Sequence, residues 1–173
     1  MNITGGIYKG RKIETPDERI VRPTLSKVRM SVFNSLYSEF GDFSDKSFLD
    51  MYGGSGIMGL EALSRGFKNV VVYEKNKNVV QVIKNNYKLL GLQPNIKVGD
   101  SLKLALKDKN NYDVVYIDPP YMSGIYETSL KNAPKTRFIV LEHVIEIDIS
   151  GFYIIKQKKY GDKYITYLKK EEL

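Results

Sequence analysis

Five short apolar segments alternate with helical patterns through residues 47–143, and this alternation limits the fold more than any other feature. The segments read "SFLDM", "NVVVYE", "NIKVGD", "YDVVYID" and "RFIVLEH". Strands that alternate with helices form a parallel sheet covered by helices on both faces. Nearly continuous apolar strands fit burial on both sides. The sequence therefore predicts an α/β fold of the Rossmann-like type.

The two ends of the chain depart from this alternation. "FYIIKQKKYGDKYITYL" contains two alternating runs joined at Gly161-Asp162, which predicts an antiparallel C-terminal hairpin. "NITGGIYKGRKIET" alternates loosely around glycines and predicts a second hairpin. In "RPTLSKVRMSVFNSLYSEF" apolar residues recur every four positions, which predicts an amphipathic helix with Thr24 or Ser26 as its N-cap. We expect one domain over residues 1–173, with residues 1–23 as an N-terminal segment.

The composition narrows the kinds of site that the chain can carry. With 173 residues it is long enough for one domain with a real core. It has no cysteine and a single histidine, His143, so disulfides and clusters of cysteine or histidine metal ligands are excluded. We expect no metal, and we interpret His143 as structural or peripheral. There is no apolar signal region and no apolar run of 18 residues, so we expect a cytoplasmic protein.

The net charge of +7 comes entirely from the two ends. Residues 1–30 contain seven Lys/Arg and three acids, residues 151–173 contain six and three, and the middle contains fourteen of each. This distribution fits a solvated basic surface, or polyanion-binding segments beside a neutral catalytic core. Under the second interpretation the candidate phosphate contacts are Lys9, Arg11, Lys12, Arg22, Lys27 and Arg29. The alternative is that they solvate or cap the first helix.

A glycine-rich turn follows the first predicted strand. "GSGIMG", from Gly54 to Gly59, matches G-x-G-x-x-G, and Glu74 lies twenty residues after Gly54 at the end of the next strand. This is the spacing of a dinucleotide-binding fingerprint. Asp50 argues against NAD, because a carboxylate at the end of the first strand repels a pyrophosphate there.

Asp50 would instead favour a ligand that has no phosphate and carries a positive charge at one end. S-adenosylmethionine (SAM) is such a ligand. Gly54 and Gly56 would let its amino-acid part lie against the backbone. Glu74 would accept hydrogen bonds from both ribose hydroxyls, and Asp100 would accept one from the adenine amino group. The alternative for Asp50 and Asp100 is turn or helix capping.

In the stretch "YDVVYIDPPYMSG" an apolar strand is followed directly by Asp118-Pro119-Pro120-Tyr121. In an exocyclic amine, conjugation draws the nitrogen lone pair into the ring. Methylation requires this lone pair to be available on the nitrogen. Asp118 and the carbonyl of Pro119 can accept hydrogen bonds from that amine and favour a pyramidal nitrogen, while the prolines fix the carbonyl direction. Tyr121 can stack on the base once it leaves its helix. The alternative is a strand-end turn with a surface tyrosine.

Taken together, these motifs resemble those of class I SAM-dependent amino-methyltransferases. "GGIYKGRKI", "RPTLSKVRMSVFN", "GLEALSRG", "LEH" and "KKYGD" further resemble the bacterial 16S rRNA guanine-N2 methyltransferases of the RsmD type, over nearly the whole chain. Tyr52-Gly53 stands where that family often has Phe-Ala, Asn76 replaces a common acid, and residues 122–140 are shorter than usual. The resemblance implies a seven-stranded sheet with an antiparallel last hairpin. It also implies N2 methylation of one guanine in 16S rRNA, within an assembled small subunit.

The resulting candidate site has two parts. The cofactor-binding candidates are Asp50, Tyr52, Gly53, Gly54, Ser55, Gly56, Glu74, Lys75, Asp100 and Ser101. The catalytic candidates are Asp118, Pro119, Pro120 and Tyr121. We expect a monomer that uses SAM and binds rRNA. The alternatives are an adenine-N6 methyltransferase of DNA or RNA, and a non-catalytic SAM- or nucleotide-binding module. The chain lacks room for the added recognition domain of a DNA enzyme.

Overall fold

A computed structural model describes residues 1–171 and places seven strands in one sheet. The strands are β1 (Ser47–Asp50), β2 (Asn69–Glu74), β3 (Ile96–Val98), β4 (Tyr112–Ile117), β5 (Thr136–His143), β6 (Phe152–Tyr160) and β7 (Lys163–Lys170). Their order is β3-β2-β1-β4-β5-β7-β6. The first five strands run parallel, and β7 pairs antiparallel with both β5 and β6. The predicted Rossmann-like sheet and its antiparallel C-terminal hairpin are confirmed.

Five helices within residues 1–171 cover the two faces of this sheet. They are α1 (Ser26–Phe40), α2 (Ile57–Ser64), α3 (Lys77–Leu89), α4 (Ser101–Lys107) and α5 (Ile125–Asn132). Side chains alternate across a strand, so Val114 and Tyr116 of β4 join the core beneath α1, α2 and α3. Val115 and Ile117 point the other way, into a second core that includes α5 residues. None of the helices in residues 1–171 is long and apolar enough to cross a membrane.

The start of α1 differs from the prediction. Its N-cap is Leu25, in an extended conformation, and no side chain caps the helix, so Thr24 and Ser26 were wrong candidates. The Thr24 carbonyl instead accepts a hydrogen bond from the Arg29 side chain, which draws this turn toward the protein interior. The apolar face itself is as predicted, with Val28 and Val32 among its buried residues.

The N-terminal segment is built into the domain. Its predicted hairpin is reduced to a single antiparallel bridge between Asn2 and Lys12, because the chain between them forms turns rather than strands. Ile3 and Ile13 are buried in the same core as α1. The Glu14 backbone N–H donates to Asn86 Oδ1 at 2.7 Å, and Asn86 Nδ2 donates back to the Glu14 carbonyl at 2.9 Å. Removing the first residues would therefore open the core.

Candidate active site

The carboxyl ends of the parallel strands open into a cavity of about 610 Å³. The cavity lies where the strand order reverses, between β1 and β4, which is the usual ligand position in an open α/β sheet. Its walls come from the glycine loop, the end of β2, the start of α4 and residues 118–122, and the segment 18–24 of the N-terminus also lines it. The structure thus brings the two predicted parts of the site into one cavity.

The glycine loop packs tightly on β2. The Gly53 N–H donates to the Tyr73 carbonyl at 2.8 Å. A Cβ atom on Gly53 would lie 2.4 Å from Val72 Cγ1 and 3.0 Å from the Tyr73 oxygen, so a side chain there would require Val72 to move. Gly54 and Gly56 have φ of 53° and 77°, in the left-handed region that favours glycine. Sequence and geometry therefore agree that this loop requires glycine at these positions.

Glu74 is oriented by the backbone on both sides. Its Oε2 accepts from the Gly54 N–H at 3.0 Å, and its Oε1 accepts from the Asn76 N–H at 2.8 Å. Asn76 in turn caps α3 through its side chain. The carboxylate is thereby fixed in the cavity wall, at the position where the sequence predicts ribose binding.

Asp50 is a buried carboxyl group with little internal compensation. It is 1% exposed, and its Oδ1 accepts one hydrogen bond, from the Tyr52 N–H at 3.3 Å. Burial, with smaller contributions from the charges of Glu74 and Glu142, raises the pKa of Asp50 to about 7, while the Tyr52 N–H opposes the rise. A cationic group entering the cavity would compensate this carboxylate.

The remaining cofactor candidates also lie at the cavity. Asp100 caps α4, because its Oδ1 accepts from the Lys103 N–H at 3.0 Å, so the capping alternative holds for that oxygen. The Tyr52 hydroxyl is 2.7 Å from Ser129 Oγ, which ties the loop to α5. Lining positions are also occupied by Ser55, Lys75 and Ser101.

Asp118 follows β4 and faces the cavity, with 27% of its side chain exposed. Burial, reinforced by the charge of Glu142, raises the pKa of Asp118 well above its usual range, and the Lys163 ammonium opposes the rise. Pro119 is buried, whereas Pro120 and Tyr121 are exposed. The Tyr121 ring is 63% exposed at the cavity and lies 6.4 Å from the Tyr126 ring, so a flat partner can reach it.

Among the cavity residues missing from the sequence-based site are Glu142 and Lys163. Glu142 is fully buried near the end of β5, where its two oxygens contact the Tyr116 hydroxyl and Lys163 Nζ, the latter at 2.7 Å. Lys163 Nζ is also 3.9 Å from Asp118 Oδ2. The signal for Glu142 was its place at a strand end, and for Lys163 its place directly after the Gly161-Asp162 turn.

His143 has the environment of a structural residue. It is 3% exposed, and its ring nitrogens lie 2.7 Å from the Ile145 carbonyl and 2.7 Å from Thr166 Oγ1. Its ring stacks on Tyr164 at 5.3 Å between centroids. Both nitrogens are thus engaged within the protein.

One of the predicted RNA contacts is wrong. Arg29 is 1% exposed, and its Nε lies 3.0 Å from Glu61 Oε1 beneath the N-terminal segment, so it cannot reach a phosphate. Its position in a basic stretch hid the fact that it lies on the inner face of α1 beside Val28. The exposed candidates are Lys9, Arg11, Lys12, Arg22 and Lys27. Arg22 also lines the cavity.

Comparison with known proteins places this chain in a family. A family model described as "Conserved hypothetical protein 95" matches residues 1–169. The "Ribosomal RNA small subunit methyltransferase D" of Escherichia coli (strain K12) is 30% identical over 149 residues, which cover 86% of this chain and 74% of that protein. The chain belongs to this family. The protein of the same description from Buchnera aphidicola subsp. Acyrthosiphon pisum is 31% identical over 160 residues, covering 91% of this chain and 78% of its own.

Solved structures give the same result for the fold. The structure described as "Putative methyltransferase yhhF" from Escherichia coli superposes with a TM-score of 0.87 and 25% identity, covering 100% of this chain and 99% of that one. The Haemophilus influenzae structure described as "putative methylase HI0767" gives 0.78 and 26%, covering 99% and 98%. This chain is therefore a methyltransferase with the class I architecture, and the family resemblance seen in its sequence is confirmed.

Proposed function

We propose that this protein transfers the methyl group of SAM to the exocyclic N2 amine of one guanine in 16S ribosomal RNA, in the cytoplasm and within an assembled small subunit. The observation that carries the proposal is the single cavity that contains both the glycine loop with Glu74 and the Asp118–Tyr121 stretch. A cofactor site alone would support a binding module. An acceptor for an amine beside an exposed aromatic ring supports transfer to a base.

The cofactor half of the cavity fits SAM better than a dinucleotide. The buried Asp50 carboxyl group has one backbone partner, and a ligand cation would compensate its charge. A pyrophosphate at the same place would be repelled. Glu74 presents a carboxylate held by two backbone N–H groups, suited to accept hydrogen bonds from ribose hydroxyls. We assign Asp50 to the amino-acid end of SAM and Glu74 to its ribose.

The catalytic half supplies positioning and a hydrogen-bond acceptor. SAM, when bound, would supply an electrophilic methyl group for transfer to nitrogen, with S-adenosylhomocysteine as the second product. Asp118 and the Pro119 carbonyl accept from the target amine and orient its lone pair toward the methyl group. Tyr121 stacks on the base. Most of the rate comes from this alignment, and the amine proton passes to water or to the Asp118 carboxylate.

The choice of substrate rests on the relatives and on the charge at the ends of the chain. The matching relatives are described as ribosomal RNA small subunit methyltransferases. Exposed cations at Lys9, Arg11, Lys12, Arg22 and Lys27 provide a basic surface on the N-terminal segment and α1. Such a surface binds a phosphate backbone without reading its sequence.

The deciding experiment is single-turnover methylation of small ribosomal subunits that lack the modification, with labelled SAM and identification of the methylated nucleoside. We expect N2-methylguanosine. Asp118→Asn should lower the rate about 10²–10⁴-fold, the scale of one lost preorganised interaction in the transition state. SAM affinity should stay nearly constant. The matched control is Asp148→Asn, because Asp148 lies on an exposed turn and bonds to Ser150.

Each competing function gives a different result in the same assay. N6-methyladenosine as product would refute the guanine assignment and retain the chemistry. SAM binding without methyl transfer to subunits or to free rRNA would indicate the non-catalytic module. An Asp118→Asn variant with a normal rate would refute the acceptor function of Asp118.

A further inference from the structure

Three carboxyl groups meet at the inner end of the cavity with one cation. Asp50 is the last residue of β1, Asp118 follows β4, and Glu142 lies near the end of β5. In the part of the chain that the structure describes, Lys163 is the only cationic side chain within 4.0 Å of any of the three. Its Nζ lies 2.7 Å from Glu142 Oε2 and 3.9 Å from Asp118 Oδ2.

The fold delivers this ammonium group to the catalytic edge from the far end of the sequence. Lys163 is the first residue of β7, directly after the turn, and β7 runs antiparallel to β5 with His143 paired to Tyr164. The start of β7 therefore lies beside the end of β5. About a third of the Lys163 side chain (32%) remains exposed, toward the cavity that it lines.

Glu142 acts as the tether for Lys163. It is fully buried, and its other oxygen accepts a hydrogen bond from the Tyr116 hydroxyl. An ammonium group carries three donors. One is used on Glu142, and the charge remains next to Asp118.

Resting on the proposed function, we infer that Lys163, held in place by Glu142, is a positioning residue that keeps the Asp118 carboxyl group ionised, so that Asp118 can accept the hydrogen bond of the target amine. An ionised carboxylate only accepts hydrogen bonds, whereas a protonated one carries a hydroxyl donor. Burial and the charges of Glu142 and Asp50 raise the pKa of Asp118, and Lys163 is the one group that lowers it. An opposite charge at about 4–6 Å typically lowers a carboxyl pKa by about 1–3 units.

Other titratable groups surround Asp118, and any test must distinguish their effects on its titration from the effect of Lys163. Those that face it or its partner are Asp50 from β1, Tyr116 from β4, Glu142 and His143 from β5, Tyr126 from α5, Arg22 from the N-terminal segment, and Tyr164 from β7. Asp50 matters most, because burial raises its pKa to about 7. Its signal must be assigned independently.

The test follows the Asp118 carboxyl carbon by NMR during a pH titration of protein labelled at the aspartate side chains. Spectra of Asp118→Asn and Asp50→Asn assign the two signals. We expect Lys163→Met, which keeps much of the apolar stem and removes the charge, to raise the Asp118 midpoint by about 1–3 pH units. Lys163→Arg keeps the charge and should leave the midpoint near the wild-type value.

Two further variants keep the test decisive. Lys169→Met is the matched control, since Lys169 lies on the same strand and pairs with Glu39 away from the cavity. It should not move the midpoint. If Lys163→Met fails to fold, Lys163→Gln retains a donor for Glu142 and should give the same upward shift. An Asp118 midpoint that is equal in wild type and the charge-removing variants overturns the inference.

The pH profile of methyl transfer provides a second readout. The acid limb of the single-turnover rate should move to higher pH in Lys163→Met by the same amount as the NMR midpoint, with the rate recovering at alkaline pH. A structural defect would lower the rate equally at every pH. An unmoved midpoint together with N2-methylguanosine formation refutes this inference alone. A moved midpoint without methyl transfer refutes the proposed function while the effect of Lys163 on Asp118 stands.

Discussion

Lowering the pH should weaken SAM binding through Asp50. Burial raises the pKa of this carboxyl group to about 7 in the free protein, and the cationic end of SAM favours its ionised form. At about pH 6, one unit below that pKa, about one molecule in ten carries the charge, so binding pays about 1.4 kcal/mol to remove the proton. SAM affinity should therefore be about tenfold lower at about pH 6 than at about pH 8.

Isothermal titration calorimetry at several pH values measures this directly. Repeating each titration in two buffers of different ionisation enthalpy gives the number of protons released. We expect close to one proton released per SAM at about pH 6 and almost none at about pH 8. Asp50→Asn should bind SAM weakly at all pH values and should lose most of the proton release.

Asp50 should also make the stability of the free protein depend on pH, but in the opposite direction to SAM affinity. Because the folded pKa of Asp50 lies above its ordinary value, the folded state retains a proton that the unfolded chain has lost between about pH 4 and pH 7. The free energy of unfolding should fall as pH rises through this window, by at most about 4 kcal/mol. Asp50→Asn should remove this loss and raise the melting temperature at about pH 8. Equal SAM affinity at both pH values, with Asp50→Asn binding like wild type, would refute the reasoning.

Two further predictions separate contacts with RNA from contacts within the fold. Tyr121→Phe should have a mild effect on methylation of small subunits, whereas Tyr121→Ala should cost about 1–3 kcal/mol, the value of one base stacked on an aromatic ring; equal rates in the two variants would contradict stacking. Lys27→Gln should weaken subunit binding without changing the melting temperature. Arg29→Gln should cost about 1.5–3 kcal/mol of stability, because buried Glu61 loses its Arg29 partner and keeps Arg65. Thermal melts and salt-dependent binding assays distinguish them, and an Arg29 variant of wild-type stability would show that the buried pair is unimportant.

Much of the architecture was readable because it depends on local pattern. The parallel strands are apolar runs that end at Asp50, Glu74 and Asp118, and those ends meet at one edge of any doubly wound sheet. The glycine loop was equally predictable from its spacing, since Gly54 and Gly56 adopt the positive φ that favours glycine. Helix α5 was missed because residues 122–140 offer few apolar positions in register.

The features that could not be predicted from the sequence depend on which way a side chain points after packing. Arginine is usually a surface residue. Arg29 becomes the buried partner of Glu61 only because the N-terminal segment closes over it. Glu142 and Lys163 are twenty-one positions apart and become neighbours through the pairing of β5 with β7. Such tertiary pairings leave no periodic signal in one sequence.

The order of strands at the C-terminal edge also determines when the protein can first act. Strand β6 is synthesised before β7, yet in the described residues it joins the sheet only through β7, which lies between it and β5. Strand β6 can therefore join the sheet only after β7 has left the translating ribosome and paired with β5. Until then Lys163 is absent from the side of Glu142. We expect the nascent chain to lack methyltransferase activity until β7 has left the ribosome and paired with β5.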